Sequence, residues 1–264
     1  MDSDFRLSDK TAILTNPTTS VGRAIAIQLA NFGANVALVG PPSRELNRLA
    51  DEIMNQSEVN EKAGRAAAVE ALPTQHTQLQ DAVAKAAELF GGIDIYVDNG
   101  MLERPLSFLK DFSLHRLDEL IEHNLRSTMV LTHKVSQFLK ARKKGRIIYL
   151  VQDIHRLGLE GDALSAISRT GIIHFAKCLA HELNTEAITV NCVAVPPTEE
   201  YLLQKVPKSP SLQAAFDELL KNKGSFRMIE PADLAQTVCF LASPLSSPIT
   251  GQVISASGGL TTIA

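Results

Sequence analysis

Three places in this chain hold residues whose types and spacing could do chemistry. The first is Thr15-Asn16-Pro17-Thr18-Thr19-Ser20-Val21-Gly22, which closes an apolar run and opens an amphipathic one. A helix start offers unpaired amides and the positive end of a dipole, so this loop could hold an anion. Thr18, Thr19 and Ser20 add hydroxyls, Asn16 tolerates positive φ, and Gly22 permits close helix–strand packing. The second place is Gln152, Asp153 and His155, just past another apolar run. Together with Ser165, His155 would supply base and nucleophile for a non-redox enzyme, with Gln152 beside them. Ser165 and Arg169 stand four apart on one helix face, and a guanidinium stays protonated and can grip hydroxyls or a carboxylate. The third place is His174, Cys178 and His181, at i, i+4 and i+7. These are zinc-ligand types, but the helix is apolar on several sides, so the stripe reads as an interface holding an interior thiol, and no metal site is assigned. Asn124, in another long helical segment, reads equally as a catalytic group or as a partner for backbone groups.

The elements that must carry these groups follow from hydrophobic periodicity. Short apolar runs at 11–15, 35–39, 66–71, 93–97, 146–151, 188–193 and 252–256 read as strands. Amphipathic segments at 21–32, 44–56, 78–90 and 231–241 alternate with them, the rhythm of a parallel sheet. Residues 114–141 read as mostly one long helix ended by Gly145, and 163–183 as a helix apolar almost all round, with two faces to bury. Residues 196–226 are irregular, with a short helical piece near 212–220, and would cover a substrate. The reading is a single doubly wound α/β domain over 1–264, with the strand ends and the loops after them as the active face.

Bulk properties exclude several classes. A net charge of −3 without a basic run argues against nucleic acid as a partner. No apolar run is long enough for a membrane span, and the acidic first residues do not read as a secretory signal. Three cysteines in apolar segments fit buried free thiols in a reducing cytoplasm.

The C-terminal third carries a set of motifs in order. These are Ile188-Thr189-Val190-Asn191, Arg227-Met228-Ile229-Glu230-Pro231-Ala232-Asp233-Leu234-Ala235, Phe240-Leu241-Ala242-Ser243, Ile249-Thr250-Gly251-Gln252 and Gly258-Gly259. With the loop at Thr15–Gly22, they resemble the short-chain dehydrogenase/reductase family over nearly the whole chain. The resemblance implies a Rossmann domain with about seven parallel strands. It implies NAD or NADP as cofactor, and dimers or tetramers packed through helices 114–141 and 163–183.

The same resemblance maps the family's functional positions, and many hold other residues. In the phosphate loop the three glycine positions hold Asn16, Ser20 and Gly22, so Asn16, Thr18, Ser20, Val21, Gly22 and Asn99 form a degenerate cofactor set. The ribose-reading position falls on Gly40-Pro41, which supplies neither the acid of an NAD enzyme nor the arginine of an NADP enzyme. The adenine-contacting pair falls on Leu72-Pro73, and the N-N-A-G element on Asp98-Asn99-Gly100-Met101. Of the catalytic Asn, Ser, Tyr and Lys, only the first is retained, as Asn124; the others are Gln152, Ser165 and Arg169. The expectation is a catalytically impaired family member with a binding, structural or regulatory role. Two alternatives stand beside it: an NAD(P)-dependent oxidoreductase using Asn124 and Arg169, and the non-redox enzyme of Gln152, His155 and Ser165.

Overall fold

The computed structural model describes residues 5–100, 113–153, 163–196 and 229–258. Seven strands form one sheet: β1 (Thr11–Thr15), β2 (Asn35–Gly40), β3 (Ala66–Glu70), β4 (Ile95–Asp98), β5 (Gly145–Gln152), β6 (Ile188–Val195) and β7 (Val253–Ser255). All pairings are parallel, in the order β3-β2-β1-β4-β5-β6-β7. Every residue of β1 is buried, as are all but the first of β2, because helices cover both faces of the sheet.

The helices are α1 (Ser20–Asn31), α2 (Arg44–Val59), α3 (His76–Phe90), α4 (Leu114–Ile121), α5 (Ser127–Arg142), α6 (Ala163–Leu183) and α7 (Pro231–Ala242). Helices α1, α2 and α7 pack one face through Ile25, Leu46 and Leu234. Helices α3, α5 and α6 pack the other through Leu79, Leu131 and Ile172. The fold is therefore doubly wound. Chain direction across the sheet reverses between β1 and β4, so the carboxyl ends of these two strands border the crevice where such sheets bind ligands.

Three expectations need correction. The long helix is interrupted: Glu122–Arg126 form a π-helical turn between α4 and α5. The wider turn takes up an extra residue and resets the phase of the apolar stripe, so Ile121 is exposed while Asn124 is buried. That helix ends at Lys143, in the left-handed conformation, and Gly145 instead begins β5. A Cβ at Gly145 would lie 2.8 Å from Leu139 Cδ1, which is why glycine stands there. Third, α6 is not apolar all round within the single chain: Thr170, His174, Lys177, Cys178 and His181 are exposed there, while Cys192 and Cys239 are buried.

Candidate functional site

The loop after β1 is held in shape by its own side chains. Asn16 has φ of +47°, as the position requires. Thr19 caps α1: its Oγ1 accepts from Gly22 N at 3.0 Å and from Asn99 Nδ2 at 2.9 Å, and donates to Asn16 O at 3.3 Å. A hydroxyl has one proton and two lone pairs, and all three are used. Thr19 is thus part of the scaffold, a correction to its reading as an anion-binding hydroxyl. Asn99 also donates to Asn16 O at 3.0 Å, so it braces the loop from β4. Gly22 cannot carry a side chain, since a Cβ would lie 2.5 Å from Asn16 O and 2.9 Å from Pro17 Cα. Thr18 is half-buried and Ser20 exposed. The amides of Ser20 and Val21 precede the first intrahelical bond, from Arg23 N to Thr19 O, so the helix start can still face an anion.

Beneath this loop lies a polar cluster that pattern reading missed. Asp98, at the end of β4, is buried. Its Oδ1 accepts from Thr15 Oγ1 at 2.9 Å and from Gly100 N at 2.8 Å, and its Oδ2 accepts from Tyr96 Oη at 2.9 Å. Burial, then the nearby Asp98 charge, pushes the Tyr96 phenol well above its ordinary range. Tyr149 is sealed beside it, its hydroxyl 2.8 Å from Thr132 Oγ1, and burial raises its phenol well above the usual value too. The ring of Tyr149 packs against Phe175 of α6 at 6.2 Å. One tyrosine therefore does touch the helix expected to carry a proton donor, but its hydroxyl is directed to α5. Only three-dimensional pairing of strand ends joins Thr15, Tyr96 and Asp98, so the chain order held no signal for the cluster.

Above Asp98 opens a cavity of about 320 Å³. It is bordered by the ends of β1, β2 and β4, the segment after β3, and the helix from the π turn into α5. Val39, Ala71, Leu72, Leu79 and Leu131 contribute apolar surface, and Pro41 and Pro73 have no amide hydrogen to donate.

The positions expected to carry catalysis are distributed as follows. Asn124 is buried in the π turn, and its Nδ2 lies 3.5 Å from Ser168 Oγ, which links that turn to α6. His76 Nε2 stands 2.7 Å from Glu122 Oε1 and ties the start of α3 to the same turn. Arg169 is buried on α6, one position along from Ser168. Gln152 is buried at the end of β5, in register with Val195. Asp153 is fully buried and accepts a hydrogen bond from Ser255 Oγ of β7. The side chain of Ser165, and His155, Met101, Tyr201 and residues 197–226 altogether, lie outside the described residues. Among the described residues no three His, Cys, Asp or Glu side chains converge as a metal requires. Among the same residues no helix is long and apolar enough to cross a membrane.

Known proteins resemble the chain over almost all its length. The family profile described as enoyl-(acyl carrier protein) reductase matches residues 17–261. The 3-oxoacyl-(acyl-carrier-protein) reductase FabG of Aquifex aeolicus is 30% identical, over 97% of this chain and 99% of its own. Oxidoreductase UcpA of Salmonella typhimurium is 31% identical, over 97% of this chain and 96% of its own. A short-chain dehydrogenase/reductase of Serratia marcescens superposes with a TM-score of 0.82 at 27% identity, over 97% of this chain and 99% of its own.

Proposed function

The chain belongs to the short-chain dehydrogenase/reductase family, and on that premise we propose that it is a catalytically impaired member whose cleft binds a ligand without reducing it. The observation that carries this reading is the placement of the tyrosines. The two tyrosines among the described residues, Tyr96 and Tyr149, are both sealed in the core, with their hydroxyls committed to Asp98 and Thr132. The helix positions where the family carries its Tyr and Lys hold Ser165 and Arg169. Serine is far too weak an acid to replace a phenol, and losing a placed general acid costs about 10²–10⁴ in rate.

The residues present also fail to fit the adenosine half of a nicotinamide dinucleotide. The end of β2 is Gly40-Pro41, with no carboxylate for a ribose and no fixed cation for a 2′-phosphate; Arg44 nearby is exposed. At Leu72-Pro73 there is neither a side-chain acceptor for an amine nor, on Pro73, an amide donor. Only the start of α1 retains a feature that a diphosphate could use.

The test is thermal denaturation with millimolar NAD, NADH, NADP and NADPH, paired with a turnover assay on 3-oxoacyl and simple carbonyl substrates. The expected result is no rise in melting temperature and no turnover, because a ligand that binds the folded state must stabilise it. Turnover of any carbonyl substrate with NADH or NADPH overturns the reading.

A second reading, a reductase working through a non-standard site at Asn124 and Arg169, draws on the π turn that buries Asn124 beside Ser168 and on the reductase relatives. It requires NADH or NADPH to bind, so the same titration separates the two. Exposed Leu114, Ile121, Met129 and Ile167 on α4, α5 and α6 support pairing of two copies through these helices, which sedimentation would report. Three unpaired thiols, one of them exposed, support a reducing cytoplasmic setting.

A further inference from the structure

The cavity above Asp98 has an unusual inventory of hydrogen-bonding groups. Several of its backbone donors are already used: Asn16 N bonds Val39 O at 3.0 Å, and Ala71 N bonds Gly40 O at 2.9 Å. Leu72 N donates to the side chain of Gln78 at 3.0 Å, and Gly100 N to Asp98 at 2.8 Å. Pro41 and Pro73 have no N–H. The hydroxyl of Thr15 is turned to Asp98, and that of Ser127 to the carbonyl of His123. Among the described lining residues there is no lysine or arginine and the one carboxylate is that of Asp98; the side chains of Asn16, Thr74 and His123 complete the polar part of the wall.

An anion entering this space would meet a carboxylate and, among the described lining residues, neither a lysine nor an arginine. A purine would exchange its hydration for walls that are largely apolar where the β2 and β3 ends approach, with Pro41 and Pro73 lacking amide hydrogens, and unpaired polar groups are costly to bury. A neutral apolar molecule loses nothing there and gains the burial of its surface. The volume of about 320 Å³ sits at the lower end of the range for small-molecule pockets, about 300–1,000 Å³. We infer that this cavity is a binding site for a small, uncharged, mainly apolar ligand of ring or short-chain size, in place of a nucleotide. The inference rests on the reading of the cleft as a binding site and names the chemistry of what it takes.

The rim permits a clean test. Leu72 is 40% exposed and Thr74 is exposed, so both can be changed without opening the core. The probe is 1-aminoanthracene, a neutral three-ring dye whose emission rises and shifts to the blue in apolar surroundings. It is titrated into the full chain, into Leu72→Asp, which sets a charge at the mouth, and into Thr74→Trp, which narrows it. The expected result is saturable binding by the unaltered chain and binding at least about tenfold weaker in both variants, with their melting temperatures unchanged. Millimolar adenosine, NADH and NADPH should leave the dye in place. No saturable binding, equal binding by both variants, or displacement of the dye by adenosine overturns the inference. If a nicotinamide cofactor supports turnover without displacing the dye, and the dye still binds in the Leu72-dependent way, the proposed function falls and this site stands. If cofactors and dye both fail to bind, this site falls and the proposed function stands.

Discussion

Asn99 Nδ2 lies 2.9 Å from Thr19 Oγ1, and the pair locks the end of β4 to the start of α1. The same amide holds the carbonyl of Asn16, the residue that adopts positive φ. The loop is thereby braced from the neighbouring strand as well as by its own cap.

Removing either partner should loosen the loop. Thr19→Ala removes a helix cap and is expected to cost about 1 kcal/mol, within a usual range of about 0.5–2. Asn99→Ala strips donors from Thr19 and from the Asn16 carbonyl and is expected to cost about 1–3 kcal/mol. Because the two share a bond, urea denaturation of the double variant should show a loss smaller than the sum.

Gly22→Ala should be more damaging than a methyl group normally is. Its Cβ would meet Asn16 O at 2.5 Å and Pro17 Cα at 2.9 Å, both backbone atoms that cannot swing aside. Overpacking of this kind costs about 1–3 kcal/mol, measurable as a lower urea midpoint at unchanged slope.

Asp98 can be tested with two substitutions. Asp98→Ala leaves Thr15 Oγ1, Gly100 N and Tyr96 Oη without their acceptor. Each stranded buried donor costs about 1–3 kcal/mol, so this variant should be severely destabilised. Asp98→Asn keeps one acceptor oxygen and should be milder. It also removes the charge that helps hold the Tyr96 phenol high, so Tyr96 should ionise at lower pH in a spectroscopic titration.

The thiols should separate by reactivity and shape the alkaline limb of stability. Burial pushes Cys192 and Cys239 from about 9 up to about 12, whereas Cys178 is exposed. The native protein should therefore react with a disulfide reagent at no more than one thiol per chain, Cys178, and the denatured protein at three. In the unfolded chain these thiols lose protons near pH 9, while the folded chain keeps them to about pH 12. The folded state binds more protons across that window, so stability is complete below about pH 9 and falls as pH rises toward 12. Melting temperatures at stepwise alkaline pH would show the decline.

The sheet and its winding were legible in the chain, for a physical reason. A parallel strand buried on both faces is a short apolar run, and β1 lies at Thr11–Thr15, where that run stands. The caps were legible too where composition marks them, as at Pro231 opening α7. The π turn was not, because Leu117, Leu120 and Ile121 satisfy a helical period up to the residue where it slips. The role of Thr19 was hidden because a hydroxyl at a helix start serves equally as cap or as ligand, and only Asn99, 80 residues away, decides between them. The cavity was hidden for a related reason: strand ends far apart in the chain form it together, and its inventory of donors depends on which amides the fold has already paired.

Tryptophan is absent from the chain, and two of its three tyrosines are Tyr96 and Tyr149. Among the described residues the near-ultraviolet signature therefore comes from two tyrosine rings set edge to face at 6.2 Å, one of them hydrogen-bonded to a carboxylate. A phenol hydrogen-bonded to a carboxylate emits weakly. Tyrosine emission should rise on unfolding, which gives a label-free optical reporter seated at the strand end below the cavity.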